Sequence, residues 1–207
     1  MEQRIFIHGR LKCVEARPEN FDSNKKYPAI FCLHGAGYRG NDIKILQKNP
    51  FFLRTAGFKD FGFVLIAPQC SENTWFDLFD ELKSLVKDTV KLPYIDSSHF
   101  YMMGASMGGY ATWQLAMSIP EYFAAIAPVC GGGMYWNAER LKNVGVWAFH
   151  GDKDDSVYHE ESVKMTDAVK RCGGEAKLTT YKDCGHNAWD NAYSDPELYK
   201  WFLKHSI

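Results

Sequence analysis

No apolar run in this sequence approaches the roughly 18 to 20 residues that a bilayer-spanning helix needs. The longest candidates, around Phe61–Pro68 and Phe123–Cys130, have strand length, so no membrane partner is expected. The N-terminus, "MEQRIFIHGRLKCVEARPEN", has no apolar core behind a basic start, and a secretory signal is not expected. Blocks of Lys and Arg are missing too: 24 basic residues are interspersed with 25 acidic ones, for a formal net charge of -1. That balance argues against nucleic acid as a partner. The six cysteines (Cys13, Cys32, Cys70, Cys130, Cys172, Cys184) form no CxxC, and Cys32 and Cys130 fall inside apolar runs. Free, buried thiols in a reducing, cytoplasmic compartment are therefore expected rather than a disulfide framework. There is no repeat, low-complexity segment or Pro/Ser-rich linker, so one domain over residues 1–207 is expected.

What is present is core material: 46% hydrophobic and 15% aromatic residues, which excludes a disordered chain. Short apolar runs at Ala29–His34, Phe61–Pro68, His99–Gly104, Ala124–Cys130, Val144–His150 and Ala176–Tyr181 read as strands. Most are apolar throughout, as expected for strands buried on both faces. Between them lie helical patterns. In "WFDLFDELKSLVKDTV" the residues Phe79, Leu82, Val86, Thr89 and Val90 recur at three- and four-residue steps. Further helices are expected at Met107–Ile119, Val157–Arg171 and Pro196–His205. The first 17 residues add a strand or two at the sheet edge. The alternation predicts an α/β fold, a mostly parallel sheet with helices on both faces.

The stretch "YMMGASMGGYATW" holds G-x-S-x-G at Gly104–Gly108, between a strand and a helix. That is the context of a nucleophile elbow, where flanking glycines make room for a strained serine. A serine hydroxyl needs a base, and His186 in "KDCGHNAWD", after the last strand, is the best placed of seven histidines. His34 and His150 each end a strand before a glycine and are read as orienting loops near the site. The base needs an acidic partner, and "FHGDKDDSV" offers Asp152, Asp154 and Asp155. The chain order Ser, Asp, His is that of the α/β-hydrolase arrangement. An oxyanion hole would use the backbone N–H of Met107 and, from "FCLHGAGYRG", that of Ala36 ahead of Gly37. Such donors contribute roughly 3 to 4 kcal/mol each to a transition state.

Three other patterns in the sequence mimic ligand-binding loops. Gly35–Gly40 fits G-x-G-x-x-G, but Asp60 precedes the next strand, where a ribose-binding carboxylate would have to end it; an NAD(P)-binding protein is thus a minor alternative. Asp152–Asp155 is not a calcium loop, because its sixth position is Val157 and its twelfth Val163. "CGGG" at Cys130–Gly133 lacks the Lys-Ser/Thr ending of a phosphate loop. No metal or other cofactor is expected. Trp75, Tyr110, Trp136 and Trp189 lie near the loops of the site and are candidates for substrate contact.

The ordered set "LHGAGYRG", "APQC…TW", "GASMGGYATWQLA…P…FAAIAPVCGG", "VWAFHGDKDDSV" and "GHNAWD…Y…DPELYKWF" resembles the α/β-hydrolase superfamily. Within it the chain is similar to the predicted-peptidase and phospholipase/carboxylesterase-like esterases, related to feruloyl esterases and dienelactone hydrolases. The resemblance runs from about Tyr27 to Phe202. It implies Asp154 as the acidic residue, through H-G-x-x-D-x-x-V, with Asp155 where the family commonly has Pro, and Asp152 as a turn cap. It implies Ser106 as nucleophile and His186 as base. Only "GGGMYWNAERLKN" separates Cys130 from the next strand, too little for a large lid. A serine esterase for small or soluble esters is expected, possibly acyl or feruloyl-type esters on sugars. A serine peptidase of the same fold and a non-catalytic binding protein are the alternatives.

Overall fold

A computed structural model describes residues 1–207. Its strands are β1 (Glu2–His8), β2 (Leu11–Arg17), β3 (Tyr27–Leu33), β4 (Val64–Gln69), β5 (Ile95–Ala105), β6 (Ala125–Val129), β7 (Gly145–Gly151) and β8 (Ala176–Tyr181). They form one sheet in the order β1-β2-β4-β3-β5-β6-β7-β8. From β4 to β8 every pairing is parallel, while β1 and β2 join antiparallel at one edge. The helices are α1 (Ile43–Leu46), α2 (Pro50–Thr55), α3 (Phe79–Thr89), α4 (Met107–Ser118), α5 (His159–Arg171), α6 (Trp189–Ser194) and α7 (Pro196–Phe202).

The unbroken apolar runs are explained by two cores. On β3, Ala29, Phe31 and Leu33 pack with α3, α4 and α5 through Leu82, Trp113 and Met165. The intervening Ile30 and Cys32 face the opposite core with Phe51, Tyr193 and Phe202 of α2, α6 and α7. Successive strand side chains point to opposite faces, so a strand covered twice has no polar side to show. All six cysteines are free, and Cys13, Cys32, Cys70 and Cys130 are buried.

The expected helix from Trp75 is split: Trp75–Leu78 is a 3₁₀ turn closed by a capping box between Thr74 and Asp77, and α3 follows. Sequence periodicity does not predict α1, α2 and α6, because each is four to six residues long and too short for a helical period to register. The segment after Cys130 carries a 3₁₀ helix, Tyr135–Leu141, and no lid. No helix is long and apolar enough to cross a membrane.

Strand order positions the site. The chain passes from β3 outward to β4, then returns across β3 to β5 on its other side. Loops leaving the C-terminal ends of β3 and β5 therefore diverge, and a crevice opens between them.

Candidate active site

Ser106 stands between β5 and α4 with φ 55° and ψ -119°, a conformation that costs a non-glycine residue about 1–3 kcal/mol. The surroundings enforce it. The Ser106 N–H donates to the Val129 carbonyl at 2.9 Å, tying the turn to β6. A Cβ on Gly108 would strike the Leu33 carbonyl, and one on Gly104 would lie 2.5 Å from Thr112 Oγ1. The two glycines thus let α4 begin directly against β3 and β5. Met107 is the first helical residue, and its amide has no backbone acceptor, as expected at a helix N-terminus.

His186 comes from the loop between β8 and α6. Its Nε2 lies 2.8 Å from Ser106 Oγ, and its Nδ1 lies 2.8 Å from Asp154 Oδ2. With Nδ1–H donating to the carboxylate, Nε2 is left to accept the serine proton. Asp154 is buried behind it, its Oδ1 accepting the amides of Ser156 at 3.0 Å and Val157 at 2.9 Å. Burial acts to raise the Asp154 carboxyl, but hydrogen bonds from Val157, His186 and Ser156 outweigh it and hold the group below its ordinary value. Asp155 is exposed and meets only Ser156 Oγ, at 3.4 Å. Asp152 Oδ1 accepts the Cys184 amide at 3.3 Å, and Lys153 N–H donates to the Cys184 carbonyl, lacing the acid-bearing loop to the histidine loop.

His150 is also behind Asp154. Its Nε2–H donates to the Val157 carbonyl at 2.9 Å and lies 3.2 Å from Asp154 Oδ2, while Nδ1 is 2.7 Å from Ser162 Oγ. It therefore holds the turn that presents Asp154 to His186.

The other rim is Gly35–Tyr38, where a 3₁₀ turn begins at Ala36. Neither the Ala36 nor the Gly37 amide has a backbone acceptor. A Cβ on Gly35 would sit 3.5 Å from that of Ser106, so the loop runs beside the serine. Buried side chains pin it from below. Gln69 Nε2 donates to the Tyr38 and Asp42 carbonyls, at 3.2 and 3.0 Å. His34 Nδ1–H donates to the Gly35 carbonyl at 2.7 Å, and its Nε2 accepts the Cys70 amide at 2.9 Å.

Those contacts make His34 a neutral imidazole, and burial pushes it down from 6.5 to about 4. A proton on Nε2 would face the Cys70 N–H. Since the folded value lies below the unfolded one, the unfolded chain takes up the proton first as pH falls. The contribution is complete above about pH 6.5 and is lost by about pH 4, which amounts to about 3 kcal/mol. Urea unfolding of the wild type across that window should show this loss, and His34→Gln should lack it. Equal slopes for the two proteins would contradict a buried neutral His34.

A cavity of about 280 Å³ opens at the crevice, lined by Gly35, Ala36, Tyr38, Ser106, His186 and Trp189, among others. Trp189 stands edge-on to His186, 5.3 Å between centroids. Tyr110 lines a second cavity, of about 470 Å³. The other two aromatic candidates need correction. Trp75 is fully buried: its indole N–H donates to the His34 carbonyl at 3.0 Å and its ring packs on the His34 imidazole, so it supports the loop and does not reach a substrate. Trp136 is 72% exposed, against Tyr135, and lines neither cavity. Nearness in sequence to an active-edge loop cannot tell the underside of that loop from its rim. Sequence reasoning missed Tyr38, Asn49, Pro50 and Tyr193 in the first cavity; their only signal is being carried there by short helices that no periodicity announces.

A thermostable esterase of known structure superposes on 99% of this chain and 63% of its own, with a TM-score of 0.83 and 28% identity. Est1E from Butyrivibrio proteoclasticus superposes on 99% of this chain and 98% of its own, with a TM-score of 0.75 and 16% identity. Dipeptidyl-peptidase 5 of Aspergillus fumigatus is 26% identical over 221 residues, covering 82% of this chain and 30% of the relative. The chain spans between a fifth and a third of the length of the curated relatives it matches. Residues 54–197 match the dienelactone hydrolase family, well over half of the 207 residues, and on that ground, with the α/β-hydrolase fold described above, the chain belongs to the dienelactone hydrolase family.

Proposed function

We propose that the chain is a serine hydrolase of small or soluble carboxylic esters that works through an acyl-enzyme. The observation that carries this reading is the continuous relay from Ser106 Oγ through His186 to a buried, ionised Asp154, with 2.8 Å at each link. Ser106 attacks the ester carbonyl while His186 Nε2 takes its proton. Asp154 keeps Nδ1 protonated and stabilises the imidazolium. The free amides of Met107 and Ala36 receive the developing oxyanion. His186 then returns the proton to the leaving alcohol, and water, activated by the same imidazole, releases the acid. No step calls for a cofactor.

An open site without a lid suits soluble esters better than lipid droplets. Est1E has been solved with ferulic acid, which makes a feruloyl ester a suitable probe. The dipeptidyl-peptidase relatives favour a second reading, amide cleavage by the same groups. The experiment compares p-nitrophenyl acetate, methyl ferulate and an unblocked dipeptidyl p-nitroanilide, with and without pretreatment by a fluorophosphonate. Ester turnover that exceeds anilide turnover, and is abolished as Ser106 gains the phosphonyl mass, is the expected result. Faster anilide cleavage would favour the peptidase, and no turnover of any probe would favour a binding role.

A further inference from the structure

The second cavity lies on the same helix as the nucleophile. Tyr110 and Gln114 project into it from α4, one and two turns past Ser106, or about 6 and 12 Å along the axis. Phe76 of the 3₁₀ turn and Phe79 at the start of α3 close it, with Gly132–Met134 from the loop after β6 and Glu161 from the first turn of α5. Glu161 is its one charged lining residue. The side chain is 33% exposed, its carboxylate accepts no hydrogen bond from the chain, and the nearest cation, Lys164 Nζ, is 3.7 Å away. A first-turn glutamate complements a helix dipole, but that role does not require its carboxylate to fold inward over Gly132. A Cβ on Gly132 would strike Glu161, so the glycine keeps that place open. Burial and then the charge of Glu161 push the Tyr110 phenol up, consistent with the two facing each other across the groove.

We infer that this groove is an acyl subsite for a substrate whose acyl chain carries a cationic, ammonium-type group, held by Glu161 between the Phe76, Phe79 and Tyr110 rings. The inference rests on the ester-hydrolase reading of Ser106. It follows from proton return: the leaving alcohol must lie against His186, which lines the first cavity with Trp189 and does not line the second. In this assignment that leaves the side along α4, where Tyr110 lies about 6 Å beyond Ser106, for the acyl chain. Aromatic rings beside a carboxylate that accepts no hydrogen bond, and whose one ion-pair partner is the exposed Lys164 at 3.7 Å, form the chemistry that binds an ammonium in exchange for that surface pair. Phe79 already takes the Lys83 ammonium 4.6 Å from its centroid.

The test uses two p-nitrophenyl esters of one shape: that of γ-(trimethylammonio)butyrate, and its isostere with carbon in place of the cationic nitrogen. The ratio of kcat/KM, cationic over neutral, cancels differences in acylation common to both. Glu161→Gln should lower this ratio about five- to tenfold relative to wild type. Gln114→Lys, which adds a cation to the groove, should lower it by a similar factor. A ratio unchanged to within about twofold in both variants would overturn the subsite, even with both esters hydrolysed. If wild type hydrolyses neither ester, turnover of p-nitrophenyl acetate decides the ester-hydrolase reading, and saturation-transfer NMR with tetramethylammonium reads the groove separately. A signal lost in Glu161→Gln then supports the cation site, and an equal or absent signal in wild type and variant overturns it.

Discussion

Ser106→Ala is expected to lower kcat on p-nitrophenyl acetate about ten-thousandfold or more, leaving at most the residue that preorganised oxyanion donors provide. The reason is the absence of any other nucleophile within the relay: His186 Nε2 meets Ser106 Oγ and no other side chain. Fluorophosphonate labelling should vanish with the activity. Turnover within about tenfold of wild type would sink the assignment of Ser106. The same position permits a stability comparison. Alanine keeps the strained φ of 55°, whereas glycine adopts it freely. Ser106→Gly should therefore be more stable than Ser106→Ala by about 1 kcal/mol, strain relief exceeding the entropy glycine adds to the unfolded chain. Equal denaturation midpoints would mean that the turn stores no strain.

Asp154→Asn should reduce kcat about a thousand- to ten-thousandfold, while Asp155→Asn stays within about threefold of wild type. The groups facing Asp154 are donors: the amides of Ser156 and Val157, Nδ1–H of His186, the Cys130 thiol, and Nε2–H of His150, which is shared with the Val157 carbonyl. A carboxylate accepts all of them. A carboxamide has only one acceptor oxygen, so its NH₂ must face an N–H whichever way it is turned. If the NH₂ faces His186, the imidazole shifts to the wrong tautomer and cannot take the Ser106 proton. If it faces the turn, the Ser156 and Val157 amides lose their partner, at about 1–3 kcal/mol. Kinetics and urea unfolding of the two variants check both consequences. A larger loss from Asp155→Asn would transfer the acidic role to the exposed neighbour.

Much of this architecture is written in local pattern. Runs such as Ala29–His34 carry no polar alternation because both of their faces end in core, and that is readable without coordinates. The elbow is equally local. Its strained serine, its glycines and the helix that follows occupy a few consecutive residues, so sterics impose them over a single turn of chain. The order of Ser106, an aspartate of the 152–155 run and His186 was legible for the same reason, as each follows a strand.

What required the tertiary structure is which side chains meet across the crevice. Residues 106 and 186 are 80 apart in sequence, and their 2.8 Å contact depends on β5 to β8 lying in one parallel order. Asp154 and Asp155 are adjacent and chemically alike, and only the direction of one turn buries the first and exposes the second. Trp75 lay close to the site in sequence yet became the support beneath the Gly35–Tyr38 loop. Glu161 stands in the first turn of α5, and no local pattern marks its place in a cavity. Spacing along the chain encodes backbone conformation and burial, because these arise from neighbours a few residues away. The composition of a cavity arises from four or five distant segments, and the packing angle of each is decided by the others.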